Sequence, residues 1–339
     1  MLARLFAASD ERSCASLAWS SWRCLPRLAA ARFDFVFRSM SALCAVGVFV
    51  TLSAVLIVLA IAAWPAFQAF GPKFFVADVW NPVTDSFGAL SSVFGTVVTA
   101  FLAMAIAVPI AYGIAFFLTQ LAPAWLARPV AIAVELLAGI PSIIYGMWGL
   151  LALAPFVRHS LQPTLESFLG PIPVIGSLFR GPCYGVGIMT ASWILAIMVL
   201  PYVATFLREI FETVPDMLKE SAYALGATTW DVMSQVIMPY VRVAAMGGVV
   251  LGLGRALGET MAVTFVVGNA HRISPSLFAP GTTISSTIAN EFNEATGALY
   301  TSSLLALGLI LFVITFLVLA AGRLLVRMLD KDRTGMRGR

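Results

Sequence analysis

The sequence predicts an all-α membrane protein with six transmembrane helices, and three observations predict it. Of its 339 residues, 60% are hydrophobic and only 11% are charged, whereas soluble domains carry roughly 25% charged residues. Six apolar runs, at residues 40–63, 93–118, 130–155, 184–207, 241–269 and 303–323, reach the roughly 20 residues a helix needs to cross about 30 Å of hydrocarbon. No alternating pattern of barrel strands is present. Backbone groups in lipid must find partners within their own segment, so each run is predicted as helix.

The basic residues decide the sidedness. With the N-terminus inside, sixteen of the twenty-one Lys and Arg fall on cytoplasmic segments. The outside segments hold only Lys73, Arg158, Arg180 and Arg272, and Arg255 lies within a span. The positive-inside rule then places both termini in the cytoplasm. A net charge of +4 sorted in this way is no nucleic-acid surface. The first run, at about 24 residues, exceeds the 7–15-residue core of a signal peptide and reads as an uncleaved helix. Cys14, Cys24, Cys44 and Cys183 fall inside, inside, within a span and outside, so no disulfide is implied.

Residues 1–38 form an arginine-bearing N-terminal tail, read either as an interfacial stretch around Trp19, Trp22 and residues 33–37 or as a poorly ordered tail. The six-helix domain covers 39–325, and a basic tail follows at 326–339. The outside loop at 64–90 offers Trp64 and Trp80 as interface anchors. A second outside loop, 156–183, carries Pro171, Pro173, Gly176, Gly181 and Pro182 and is expected to be irregular.

Between spans four and five, residues 208–240 form the most polar inside segment and the candidate coupling surface. Pro215 and Asp216 suit a helix start, Gly226 a helix end, and Thr228 with Asp231 a capping box. Trp230, Met233 and Ile237 would then share one face at i, i+3 and i+7.

The chemistry of the chain lies in its intramembrane charge. The three lysines include no Gly-Lys pair, so no phosphate-binding P-loop exists. His159 and His271 stand in outside loops without ligand partners at metal spacing and read as exposed structural histidines. Arg or Asp at a helix centre costs about 2.5–3.5 kcal/mol on insertion scales, which makes Glu135, Arg255 and Glu259 the informative residues. Arg255 and Glu259, four apart, can pair on one helical face. Either they satisfy each other, or the Arg255 guanidinium exchanges Glu259 for an anion in transit. Gly248, Gly252, Gly254 and Gly258 around them permit close helix packing or line a narrow path. Glu135 precedes Gly139, Ile140 and Pro141, where proline can kink the span; it reads as pore-side on a kinked helix or as a membrane-edge carboxylate. Thr260, next to Glu259, completes the candidate translocation set.

One stretch of the inside segment reads Glu220-Ser221-Ala222, three residues, Gly226, nine residues, then Val236-Ile237-Met238-Pro239. It resembles the EAA coupling loop of ABC importer permeases, with Glu220, Ala222, Gly226 and Pro239 in register and Ser221, Val236 and Met238 as replacements. The runs GLGRALGETMAVTFVVGN at 252–269, ELLAGIPSIIYGMWGL at 135–150 and IANEF at 288–292 narrow the resemblance to the PstC family of phosphate permeases. It covers about residues 33–323, and the first thirty or so residues depart from it. The resemblance implies a type I ABC importer permease-like fold in a bacterial inner membrane. It implies a subunit that is not itself an enzyme, docking through its coupling loop on a separate ATPase. The implied partners are a homologous PstA-like permease, two ATPase subunits holding ATP and Mg, and an extracytoplasmic phosphate-binding protein. No cofactor is expected on this chain. A sulfate or molybdate permease is the nearest alternative, and a secondary anion transporter or channel a more distant one.

Overall fold

The computed structural model describes residues 27–337 except 173, 174 and 183. Trp19, Trp22, Cys14, Cys24, Pro173 and Cys183 lie outside the described residues. The described residues fall into two compact units that divide between Val58 and Leu59. In the first, the apolar side chains from Phe35 onward are largely exposed, as expected of a segment whose solvent is lipid.

Helix α1 runs Arg27–Phe70, so the predicted span 40–63 lies within a longer helix. A short hairpin follows, with β1 Trp80–Asn81 antiparallel to β2 Ser86–Phe87. Helix α2, Leu90–Phe116, buries Ala100, Ala103, Ala107, Ala111 and Ala115 at helical spacing. That small-residue face packs into a core with Ile194, Leu195, Val199, Val203, Leu207 and Phe211. Without side chains beyond a methyl, the two backbones can approach closely where no hydrophobic force separates lipid from protein.

The third predicted span is not one helix. Helix α3, Ala124–Ala138, and the helical arm Ser142–Phe168, which opens on α4, Ser142–Trp148, meet at an angle of 91°. The reason is local. Pro141 is extended at φ −56°, ψ 135° and has no N–H to continue the ladder. Gly139 and Ile140 close tight turns onto the carbonyls of Leu136 and Leu137. The Tyr145 hydroxyl, one turn into α4, donates to the Leu137 carbonyl at 2.8 Å. The break therefore satisfies its own backbone, as non-helical chain at membrane depth must. The outside loop at 156–183, expected to be irregular, is also largely helical: the arm continues through a π turn at Val157–Leu161 to Gln162–Leu169, and Ile175–Phe179 is helical again.

Helix α5, Ile188–Glu212, is the central post. The short helix α6, Asp216–Ala224, leads into the span Thr229–Leu257, whose membrane part is α7, Met238–Leu257. The predicted run 241–269 thus breaks at Gly258. A single turn, Met261–Thr264, follows, and Gly268 and Asn269 then take left-handed conformations at φ +92° and +50°. Helix α8, Ile284–Glu291, starts on a capping box of Thr283 and Ser286. Its first free amide, Ile284 N, donates to Thr96 Oγ1 of α2 at 2.9 Å. A Cβ on Gly95 would collide with the Thr282 carbonyl, so only glycine lets this loop lie against α2. Helix α9, Ala298–Arg337, closes the chain. Among the described residues, five helices are long and apolar enough to cross a membrane, and the bent pair supplies a sixth crossing if its arms form one span.

Candidate functional site

The start, turn and capping box read for residues 208–240 are found in the fold. Pro215 precedes α6 in an extended conformation, and Asp216 in the first turn pairs with Lys219 at 2.8 Å. The hydrogen bond from that ammonium, and then its charge, lowers the Asp216 carboxyl below the usual carboxylate range. Gly226 sits at φ +86°, and the amides of Gly226 and Ala227 donate to the carbonyls of Tyr223 and Ala222 at 2.9 and 3.1 Å. This is a full Schellman ending, in which a left-handed residue lets the chain satisfy two terminal carbonyls. Thr228 and Asp231 then form the capping box, with Asp231 N to Thr228 Oγ1 at 3.2 Å and Thr228 N to Asp231 Oδ2 at 3.0 Å.

The four residues of the coupling pattern divide by role. Glu220 is exposed on α6, Ala222 packs half-buried against the core, Gly226 makes the turn, and Pro239 stands exposed near the start of α7. Pro239 has no N–H to give to the preceding turn, and the helix ahead of it is widened to π geometry over Val232–Ile237. That wide turn breaks the expected apolar face. Met233 and Ile237 are buried, while Trp230 stays 68% exposed and meets Phe116 edge-on. The apolar side chains presented most openly are Met217, Leu225 and Trp230, with Leu225 at 89% exposure.

The intramembrane charges are arranged differently from expectation. Glu259 lies beyond the end of α7, after Gly258, so it is not on the helical face of Arg255. Its Oε1 accepts instead from Ala262 N at 3.5 Å, at the start of the next turn. Arg255 and Glu259 form no ion pair, and the four ion pairs among the described residues do not include Arg255. Arg255 is exposed in this chain, its guanidinium 5.7 Å from the ring centroid of Tyr202 on α5. Sequence reasoning missed Tyr202, because a tyrosine in an apolar run carries no signal of what lies 53 residues further on.

Glu135, on α3 just before the break, pairs with Arg208 Nη2 at 3.4 Å, and Arg208 Nε faces Glu212 at 3.4 Å. Glu135 and Tyr202 line one cleft of about 210 Å³, together with Ala138, Thr205, Phe206 and Glu209. Glu135 thus faces the same cleft as the ring beneath Arg255. Thr260 lies on the broken backbone, where its carbonyl accepts from Thr264 N at 3.0 Å and Thr264 Oγ1 at 2.7 Å. Among the glycines, a Cβ at Gly248, Gly252 or Gly254 would press on Phe206, Val203 or Leu319, so those three serve close packing; Gly258 meets nothing nearer than 3.8 Å.

Two outside residues also depart from expectation. His271 is not exposed: its Nε2 lies 2.8 Å from Glu291 Oε1. Trp80 is no interface anchor but is 8% exposed, stacked on His271 with its indole N–H donating to Glu291 Oε2 at 2.5 Å. Tyr300 OH donates to the same oxygen at 2.8 Å. Burial alone would raise the Glu291 carboxyl, but the hydrogen bonds from His271, Tyr300 and Trp80 outweigh it and leave the group below its usual range.

Comparison with known proteins follows this geometry. Residues 91–331 match the family described as binding-protein-dependent transport system inner membrane component. The chain is 57% identical over 302 residues to the phosphate transport system permease protein PstC of Mesorhizobium japonicum, covering 89% of this chain and 92% of that protein. It is 52% identical to the protein of the same name from Pasteurella multocida, covering 88% and 93%. Among solved structures it resembles a chain of a bacterial alginate ABC transporter in complex with alginate-pentasaccharide-bound periplasmic protein, with TM-score 0.55, 17% identity and coverage of 90% and 98%. It also resembles a chain of the inward-facing MetNI methionine ABC transporter, with TM-score 0.53, 17% identity and coverage of 70% and 94%. At such identities these two likenesses speak for the fold, a type I ABC importer permease.

Proposed function

The chain belongs to the family of binding-protein-dependent transport system inner membrane components, and on that premise we propose that it is the membrane-spanning permease subunit of an ATP-driven inorganic phosphate importer. It forms half of the translocation path, beside a homologous PstA-like permease. Two ATPase subunits carry ATP and Mg on the cytoplasmic side, and an extracytoplasmic binding protein delivers phosphate. The chain resides in a bacterial inner membrane with both termini in the cytoplasm, as its arginine and lysine distribution favours. It has no nucleotide site of its own.

The observation that carries this reading is Arg255. An intramembrane guanidinium without a carboxylate partner is costly to keep, and it offers a planar fork that matches a tetrahedral oxyanion. Tyr202 lies under the guanidinium and holds it by its ring face without using its hydrogen-bond donors. A bound phosphate takes those donors, and the carboxylates Glu135 and Glu259, each engaged elsewhere, do not compete for them. Sulfate or molybdate offers the same geometry, and the choice of phosphate rests on the PstC relatives.

Coupling runs through Glu220 to Pro239. The Schellman turn at Gly226 fixes the angle between α6 and the capped helix after it, so α6 moves with α7 as one lever when its exposed apolar side chains are gripped. The test is uptake of labelled phosphate into proteoliposomes holding the four-subunit complex, with ATP inside and binding protein outside. ATP-dependent uptake that sulfate and molybdate do not inhibit is the expected result; uptake of sulfate instead overturns the substrate. In the same assay Gly226→Val, which forces a β-branched residue to φ +86°, leaves the complex assembled but lowers phosphate uptake at least about ten-fold per ATP hydrolysed. Unaltered coupling in that variant removes the lever.

A further inference from the structure

We propose that the cytoplasmic end of α9, where it packs on α7, is a binding site for one two-chain anionic phospholipid. Arg323 and Arg327 stand one helical turn apart on α9, at the end of the membrane-crossing segment Ala298–Met328, and both are exposed. Neither forms an ion pair with any residue up to Met328 whose side chain is described. Two clefts meet at this pair and share it, together with Leu319 one turn deeper. The first, about 330 Å³, runs between the helices along Gly247, Val250, Leu251, Gly322 and Val326. The second, about 420 Å³, runs along α9 past Phe316, Ala320 and Leu324.

The chemistry of the lining selects the occupant. Apart from the two guanidinium groups, the side chains described along both clefts are apolar or glycine, with no carboxylate among them. A protein segment laid there would bring backbone amides to membrane depth with no acceptor to meet them. Free inorganic phosphate would use the arginines and leave the grooves empty. A glycerophospholipid uses both: its phosphate accepts from the two planar forks, and one acyl chain lies on each side of Leu319. Basic residues at the cytoplasmic boundary of a span are where anionic headgroups are met. Gly247 supplies room for the first chain, since a Cβ built there has nothing within 4 Å. The site stands on Arg323 and Arg327, neither of which belongs to the translocation set, and does not depend on the transport reading.

The full chain, purified in detergent, is exposed to mixed vesicles of equal parts phosphatidylglycerol and phosphatidylcholine, and retained lipid is counted by native mass spectrometry. Phosphatidylglycerol is expected to be retained over phosphatidylcholine by at least about ten-fold, with millimolar inorganic phosphate leaving the ratio unchanged. Arg323→Gln with Arg327→Gln brings the ratio to near one, and Arg323→Lys with Arg327→Lys keeps part of the preference. Gly247→Leu fills the first groove where space is open, so it lowers retention of phosphatidylglycerol while the melting temperature holds. The proposal is overturned by equal retention of the two lipids in the parent chain, by an undiminished preference in the doubly neutral variant, or by displacement with inorganic phosphate.

Discussion

Two charged residues of this chain have opposite surroundings. Glu291 is half-buried between the hairpin, the loop after α7 and the start of α9, and three donors of the same chain, from Trp80, His271 and Tyr300, close on its two oxygens. Arg255 lies in a membrane-crossing helix with five donors on its guanidinium, an aromatic ring beneath it and no carboxylate partner. A charge saturated by its own chain holds the fold. In the function proposed above, one left short of partners in a low-dielectric setting is kept for the anion in transit. Charge alone therefore does not mark a candidate site; the two residues differ in their unmet hydrogen-bonding capacity.

The comparison breaks most directly at Arg255. Arg255→Gln is expected to lower phosphate uptake by the reconstituted complex at least about 100-fold, because two charge-assisted hydrogen bonds are lost, while the melting temperature stays near that of the parent. Arg255→Lys keeps the charge without the fork and falls in between. Since Arg255 and Glu259 are not paired, adding Glu259→Gln to Arg255→Gln restores nothing. Recovery of uptake in that double variant would return the two residues to a structural pair.

Glu291 should behave in the reverse manner. Glu291→Ala leaves the Trp80, His271 and Tyr300 donors buried without an acceptor and is expected to cost about 3 kcal/mol of stability, read as a lower melting temperature and weaker assembly. Uptake per correctly assembled complex stays close to normal. A stable Glu291→Ala protein that assembles but does not transport would move this carboxylate into the working site.

A finer test lies under Arg255. Tyr202→Leu removes the ring face and is expected to raise the KM for phosphate about three- to ten-fold with little change in maximal rate, because the guanidinium is less well placed. Tyr202→Phe, which keeps the face, restores the parent value. If Phe and Leu behave alike, the ring does not position the arginine.

The smallest effect is one of pH. The Glu291 carboxyl is lowered in the folded protein, the three hydrogen bonds outweighing its burial. Its contribution is therefore present above the unfolded carboxylate value, about 4.3, and is lost as pH falls through the folded one. Acidifying from about pH 5 to about pH 3 should lower the melting temperature of the parent more steeply than that of Glu291→Gln. Equal slopes would mean that the cluster does not hold an ionised carboxylate.

Local signals were legible where the physics is local. The start of α6 at Pro215 and Asp216, the left-handed Gly226 and the Thr228–Asp231 box depend on neighbours within a few residues, and all three are found as read. Apolar length likewise announced the crossing segments. Two of the six predicted runs, however, hide breaks. A mean over a window cannot tell a kink at Pro141 from a 91° turn, nor show that Gly258 ends α7, because hydrophobicity reports the solvent of a segment and not its direction.

The sequence by itself determined the solvent of each segment, the capped turns of residues 208–240 and the scarce intramembrane charges, since each is set by transfer free energy or by short-range backbone preference. Only the tertiary structure decided the partners of those charges. Arg255 lies 53 positions from the ring it covers, Glu135 is 73 from Arg208, and Glu291 is 211 from the Trp80 indole. Which donor reaches which acceptor depends on where two helices break and cross, and a one-residue change in either break would turn a different face toward the cleft.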